Sequence, residues 1–298
     1  MVVADIDGDG DNELLVQANV APNGLPGASV FKSYRFTGAE LLEDWQSDTV
    51  NATNVFAAGG ALNDGKIYLL FVVEGEAQSV VFALDRGGTT RELFALPGEI
   101  RAMEVADLDG DGINEMIAAL ITEQHDDLAS GEIRLFRWTG GRAVEVTRLQ
   151  PERSGGIGAF EDMRAIDVAP APGLEIVVEE VTHLEGSPIR AFAYDKNKGV
   201  LAPVVDRDLA RGFAHAKTAN LILWTSGGRR LLIFGAAGRV EKYSLEEGVP
   251  VSGSDIANPF VTAGLLGPGS ELKLVVTSVV LAATDRPVRV RILDPEAF

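Results

Sequence analysis

Cysteine is absent from this chain of 298 residues, histidine occurs three times, and no long hydrophobic run exists. Each shortage excludes something. Without cysteine there can be no disulfide, zinc–thiolate site, iron–sulfur cluster or cysteine nucleophile. The compartment stays open, because many exported proteins fold without disulfides. His125, His183 and His215 are scattered with no i,i+4 partner, so solvated or packing roles are the default. A membrane helix needs roughly 18–20 consecutive apolar residues. The most apolar runs here, Leu69–Val73 and Leu274–Val276, are strand length. The start, Met1-Val2-Val3-Ala4-Asp5, has neither a basic stretch nor a signal-peptide core. Basic residues are also in deficit, with 26 Lys and Arg against 44 Asp and Glu and a formal charge of −18. A nucleic-acid partner needs clustered Lys and Arg, so it is not expected. Cation binding fits this balance.

What is present is a core and a repeat. Hydrophobic residues make up 46%, which excludes wholesale disorder. Val3-Ala4-Asp5-Ile6-Asp7-Gly8-Asp9-Gly10-Asp11-Asn12-Glu13-Leu14-Leu15-Val16 matches Val105-Ala106-Asp107-Leu108-Asp109-Gly110-Asp111-Gly112-Ile113-Asn114-Glu115-Met116-Ile117-Ala118. A degraded copy from Ile166 to Val178 keeps Asp167, Gly173 and Glu175. Three further segments keep only strand, Gly-containing turn and strand, with turns at Asn63-Asp64-Gly65, Gly227-Gly228 and Gly267-Pro268-Gly269. Each copy is followed by a second module of alternating strand, tight turn and strand, for example Ser29–Phe36 before Thr37-Gly38 and Ile133–Trp138 before Thr139-Gly140-Gly141. Alternation with Gly and Asn turns is a strand-hairpin signal. No segment has a long helical period.

Each unit therefore reads as about four strands, and units of this length suit propeller blades. The units lie near 2–50, 54–98, 100–150, 160–207, 213–252 and 259–298. The fold expected is all-β: one propeller domain over 1–298 with about six four-stranded antiparallel blades, the last one strand short. The abrupt start and short last unit raise the expectation of a fragment of a longer protein.

The acidic loops carry the chemistry. Asp5, Asp7, Asp9, Asp11 and Glu13 stand at alternate positions, as do Asp107, Asp109, Asp111, Ile113 and Glu115. A hard cation such as Ca²⁺ takes six to eight oxygens at roughly 2.3–2.6 Å. A tightly wound loop brings positions 1, 3 and 5 to one centre. Position 7 can give its backbone carbonyl, so Asp11 and Ile113 can differ there, and the carboxylate at position 9 closes the shell. Gly8, Gly10, Gly110 and Gly112 permit the tight winding. An all-oxygen set selects Ca²⁺ over zinc or copper. An EF-hand would need flanking helices and a Glu at position 12, where Val16 and Ala118 already lie in apolar strands. The alternative is a polar turn with a solvated negative cluster, disfavoured because so many close carboxylates repel one another.

The D-x-D-G-D-G-x-x-E pattern followed by an apolar strand resembles the FG-GAP/VCBS repeat family, the blade type of integrin-α-like propellers. The resemblance implies Ca²⁺ ligation by Asp5, Asp7, Asp9, Glu13 and the carbonyl of Asp11. It implies the same for Asp107, Asp109, Asp111, Glu115 and the carbonyl of Ile113. Two departures stand out: the last ligand is Glu where the family usually has Asp, and the third loop has Ala169 and Ala171 in place of Asp. Two structural Ca²⁺ ions are therefore expected, and weak sites of this kind suit the millimolar calcium outside cells.

The function expected is a calcium-stabilised, extracytoplasmic (secreted, periplasmic or cell-surface) binding or adhesion scaffold. Loops on one face would recognise a protein or glycan. One alternative is a structural subunit of a larger surface assembly, filament or homo-oligomer. The other is a propeller-type polysaccharide lyase or hydrolase. For the enzyme reading no G-x-S-x-G elbow, P-loop or paired G-x-G-x-x-G is present. The pairs Glu161-Asp162 and Glu179-Glu180 are unremarkable among 44 acids. Trp45, Trp138 and Trp224 read as packing aromatics before sugar platforms. Gly155-Gly156-Ile157-Gly158 reads as a linker, and Asn51-Ala52-Thr53 matches a glycosylation acceptor.

Overall fold

The computed structural model describes residues 2–7, 9, 11–19, 28–75, 78–125, 128–150, 158–169, 173–182, 189–204, 222–226, 228–236, 239–247, 249–255, 259–265, 272–279 and 288–293. No helix occurs among them. The first sheet contains β1 (Val2–Ala4), β2 (Glu13–Asn19), β3 (Ala28–Phe36) and β4 (Leu41–Gln46), with a short β5 (Val50–Asn51) added beside β3. The second contains β6 (Asn54–Gly59), β7 (Tyr68–Glu74), β8 (Gln78–Leu84) and β9 (Thr90–Pro97). The third contains β10 (Glu99–Ala106), β11 (Glu115–His125), β12 (Leu128–Thr139) and β13 (Arg142–Leu149). The fourth contains β14 (Gly158–Ile166), β15 (Glu175–Thr182), β16 (Ile189–Asp195) and β17 (Val200–Pro203). The fifth contains β18 (Ile222–Ser226), β19 (Arg229–Ala236), β20 (Arg239–Ser244) and β21 (Val249–Asp255). The last contains β22 (Pro259–Leu265), β23 (Leu272–Val279) and β24 (Val288–Leu293).

Neighbours along the chain pair antiparallel, so every sheet is a meander. The sheets form a β-propeller. Among the described residues five blades have four or more strands, against the expected six of which the last was one strand short. The remaining sheet has three strands, matching the unit read as one strand short. First strands of consecutive blades touch, β1 to β6, β6 to β10, β10 to β14 and β14 to β18, and β22 touches β1. The unit start placed near residue 213 lies outside the described residues; the first described strand there is β18.

Alternation explains the packing. On β11, Met116, Ala118 and Leu120 join Leu70, Val72, Val81 and Met103 in the core between the second and third blades. Ile117 and Ala119 point the other way, into a core with Phe160, Ile176 and Val178 of the fourth. A strand buried on both faces reads as an unbroken apolar run for this reason. The same alternation puts Leu70 and Val72 on one side of β7, and Leu69 and Phe71 on the other against Leu15 and Phe31. Blades four and five share Ile166, Val177, Leu232 and Tyr243.

Candidate cation-binding loops

Both acidic loops join the first two strands of a blade, β1 to β2 and β10 to β11. In each, the position-9 glutamate is the first residue of the second strand. Glu13 pairs with Ala4, Glu115 with Ala106, and in the degraded copy Glu175 pairs with Ile166. All three are buried. All three accept a backbone hydrogen bond inside the loop: Ile6 N–H donates to Glu13 Oε2 at 3.0 Å, Leu108 N–H to Glu115 Oε2 at 3.0 Å, and Val168 N–H to Glu175 Oε2 at 2.9 Å. The aspartates wind the loop by accepting amides two residues on, Asp9 N–H to Asp7 Oδ1 at 3.1 Å and Asp11 N–H to Asp9 Oδ1 at 2.9 Å. This is Asx-turn chemistry. Gly110 and Gly112, at φ 73° and 82°, supply the left-handed backbone in the second loop.

The first loop gathers Asp5, Asp7 and Glu13, one oxygen from each lying within 4.8 Å of the others. Asp9 and Asp11 stand outside that group, and Asp9 is exposed. The second oxygen of Glu13, Oε1, is buried and has no hydrogen-bond partner. A buried carboxylate oxygen without a donor is costly. Burial first, then the nearby charges of Asp7, Asp9 and Asp5, push the Glu13 carboxyl up to about 7, against the Ile6 amide that pulls it down. One basic side chain reaches this loop among the described residues: Arg86, from the turn between β8 and β9 of the next blade, lies 2.7 Å from Asp7 and 2.6 Å from Asp44. Burial would raise the Asp7 carboxyl, but Arg86 and the Asp9 amide outweigh it and hold it below its usual range. The donor set is all carboxylate oxygen with one acceptor unsatisfied, and it fits a hard divalent cation.

The second loop is arranged differently. Asp107, Asp109 and Asp111 come within 4.8 Å of one another, and Glu115 is not part of the group. Asp107 is occupied by backbone: its Oδ1 accepts from Gly110 and Asp111 N–H at 2.8 and 3.1 Å, and its Oδ2 from Gly112 N–H at 2.8 Å. Arg137 of β12 sits between the others. It donates to Glu115 through Nε at 2.8 Å and also through Nη2, and lies 3.0 Å from Asp109 and 3.3 Å from Asp111. Lys196, from the turn of the fourth blade, lies 3.6 Å from Asp109 and 3.9 Å from Asp111. Burial raises the Glu115 carboxyl, partly offset by Arg137 and the Leu108 amide. Every carboxylate here has a donor, so this loop does not fit an added ion as it stands. Of the carbonyl positions, Asp11 is half-buried and Ile113 exposed.

Arg86, Arg137 and Lys196 were not among the expected site residues. A signal existed. Arg137 follows Glu115 by 22 residues, and Arg86 and Lys196 each follow an Asp at the head of a tight turn. Among the described residues the third loop gathers no acidic group; Arg230 Nη1 donates to the Val168 carbonyl at 2.8 Å instead. Trp45 and Trp138 pack as expected, Trp45 donating to the Arg86 carbonyl at 3.1 Å and Trp138 lying under Arg91 at 4.8 Å. Glu179 and Glu180 are buried, with Glu180 3.1 Å from Arg190. His183, His215 and Gly155–Ile157, and the side chains of His125, Glu161, Asp162 and Trp224, lie outside the described residues. No described helix is long and apolar enough to cross a membrane.

No family model matches the chain, and no curated protein sequence does. Solved structures do match in fold. A candidate 6-phosphogluconolactonase of Bacteroides fragilis is similar at 12% identity and TM-score 0.51, over 95% of this chain and 82% of that one. Cobalt-substituted ACO of Synechocystis gives 12% and 0.49, over 88% and 68%. The rhamnogalacturonan lyase YesW gives 15% and 0.47, over 98% and 66%. At 12% identity the likeness to the first of these is one of fold alone.

Proposed function

We propose that this chain is a propeller scaffold for binding, whose first acidic loop holds a structural Ca²⁺ ion. The observation that carries the reading is Glu13 Oε1, buried without a donor beside Asp5 and Asp7. A divalent ion there would satisfy that oxygen and offset three converging carboxylates at once. Asp5, Asp7 and Glu13 would bind it through carboxylate oxygens, and Asp9 and the Asp11 carbonyl are the remaining candidate ligands. The blade-to-blade contacts give a stiff frame, and the loops at its ends carry recognition of a protein or glycan. Weak, all-oxygen sites suit an extracytoplasmic setting, where calcium is millimolar.

Thermal unfolding tests the ion. At a hundredfold excess over Kd, an ion bound to the folded state alone adds about 2.7 kcal/mol. CaCl₂ should raise the Tm of EDTA-stripped protein clearly above a matched rise in NaCl, and an equal shift from both salts would refute a specific site. Binding to glycan and matrix-protein panels, with calcium and with EDTA, tests the scaffold reading; silence on both panels in both conditions would count against it.

A further inference from the structure

The two motif copies are the same in pattern but not in what surrounds them. Both carry an arginine on the third strand. Arg137 is in register with Glu115, and Arg35 lies one step beyond the Leu14–Tyr34 pair, at the height of Glu13. Arg35 is exposed and takes part in no described ion pair. Arg137 is turned inward and touches Asp109, Asp111 and Glu115 together. Lys196 adds a second positive charge against Asp109 and Asp111. Two cations thus face three carboxylates in the second loop, and the fourth, Asp107, is already taken up by three backbone amides. In the first loop Arg86 pairs with Asp7 and is shared with Asp44, and Glu13 Oε1 is left without a donor.

We propose that the guanidinium of Arg137, assisted by Lys196, takes the place of the ion in the second loop, so that this chain binds one divalent cation rather than two. A guanidinium is planar, always charged and presents several donors in a fixed fork, so it can serve three carboxylates that would otherwise surround a metal. It is tethered to β12, which makes the neutralisation independent of ion concentration. The proposal rests on the reading of the first loop as the ion site only for the expected count of one.

Calcium titration calorimetry on the full chain at low ionic strength tests it. One equivalent in the wild type, none in Glu13→Gln and a second equivalent gained in Arg137→Gln is the result expected. Two equivalents in the wild type with one remaining in Glu13→Gln would overturn the proposal and leave the first-loop reading intact, whereas one equivalent in both proteins would place the ion outside the first loop and overturn both. No binding in the wild type but one equivalent in Arg137→Gln would overturn the first-loop reading and keep the role of Arg137. No binding in either protein would overturn both. Should Arg137→Gln fail to fold, the count in Glu13→Gln decides, since Arg137 is untouched there.

Discussion

Glu13 is an acid placed where its charge is poorly tolerated. Its carboxyl is raised from 4.5 to about 7 by burial and by neighbouring aspartates. The folded state therefore holds this proton more tightly than the unfolded chain. The resulting stabilisation is fully present below about pH 4.5 and is lost as pH rises through about 7. A shift of this size corresponds to about 3 kcal/mol. In EDTA the protein should lose stability across that window, as followed by urea midpoints at several pH values. Glu13→Gln keeps an acceptor for the Ile6 amide and removes the charge. It should flatten that pH dependence, make the EDTA-treated protein more stable than wild type near pH 8, and abolish the gain from calcium. A variant that still gains stability from calcium would place the ion elsewhere.

Turns are where elements of different blades meet. Asn63, in the turn from β6 to β7, has φ 52°, and it joins Asn114 of the second acidic loop by two hydrogen bonds. Its Nδ2 donates to the Asn114 carbonyl at 3.0 Å, and Asn114 N–H donates to its Oδ1 at 2.9 Å. Asn63→Gly keeps the backbone at ease and loses both bonds, a cost of about 1–2 kcal/mol. Asn63→Ala loses the same bonds and adds roughly 1 kcal/mol for a left-handed alanine. Alanine should therefore be the less stable of the two in urea unfolding, and the opposite order would show that backbone strain is not a factor there. The turn itself was legible, because Asn-Asp-Gly is turn chemistry at any distance from its partner. The bond to Asn114, 51 residues away, was not, because it depends on how one blade is rotated against the next. Nor was β5 legible, since two residues have no period.

At the scale of the molecule, the repeat and the alternation were enough to anticipate an all-β propeller, because each strand shows its two buried faces as an apolar run. The acidic loops could be located for the same reason: their spacing is local. What fills them could not, since Arg86 and Lys196 arrive from the next blade along and Arg137 from across a hairpin. Net charge acts at this scale as well. At −18 the folded chain repels itself, and one bound Ca²⁺ would change that only to −16. Raising NaCl from low to moderate concentration should therefore raise the Tm of the EDTA-treated protein. The same increment should persist in Glu13→Gln, which separates general screening from a specific ion. If the salt effect vanished with Glu13, the repulsion would be local to the loop rather than spread over the surface.

The decayed third copy works as a comparison carried within the chain. It has lost the acids at two positions, now Ala169 and Ala171, and has kept Asp167 and Glu175, while Gly173 stands where the other copies have Asp11 and Ile113. Glu175 still caps the Val168 and Ala169 amides. Gly173, at φ 91°, lies so close to the previous blade that a Cβ would stand 2.2 Å from the Leu108 carbonyl oxygen, and Leu174 N–H donates to the Asp107 carbonyl at 3.3 Å. Gly173 and Leu174 build the seam between blades by backbone, whereas in the other two copies acids at the lost positions meet the next blade by charge, Asp7 with Arg86 and Asp109 and Asp111 with Lys196. One motif thus combines two separable duties, architecture and charge, and a copy can resign the second while still holding its neighbour in place.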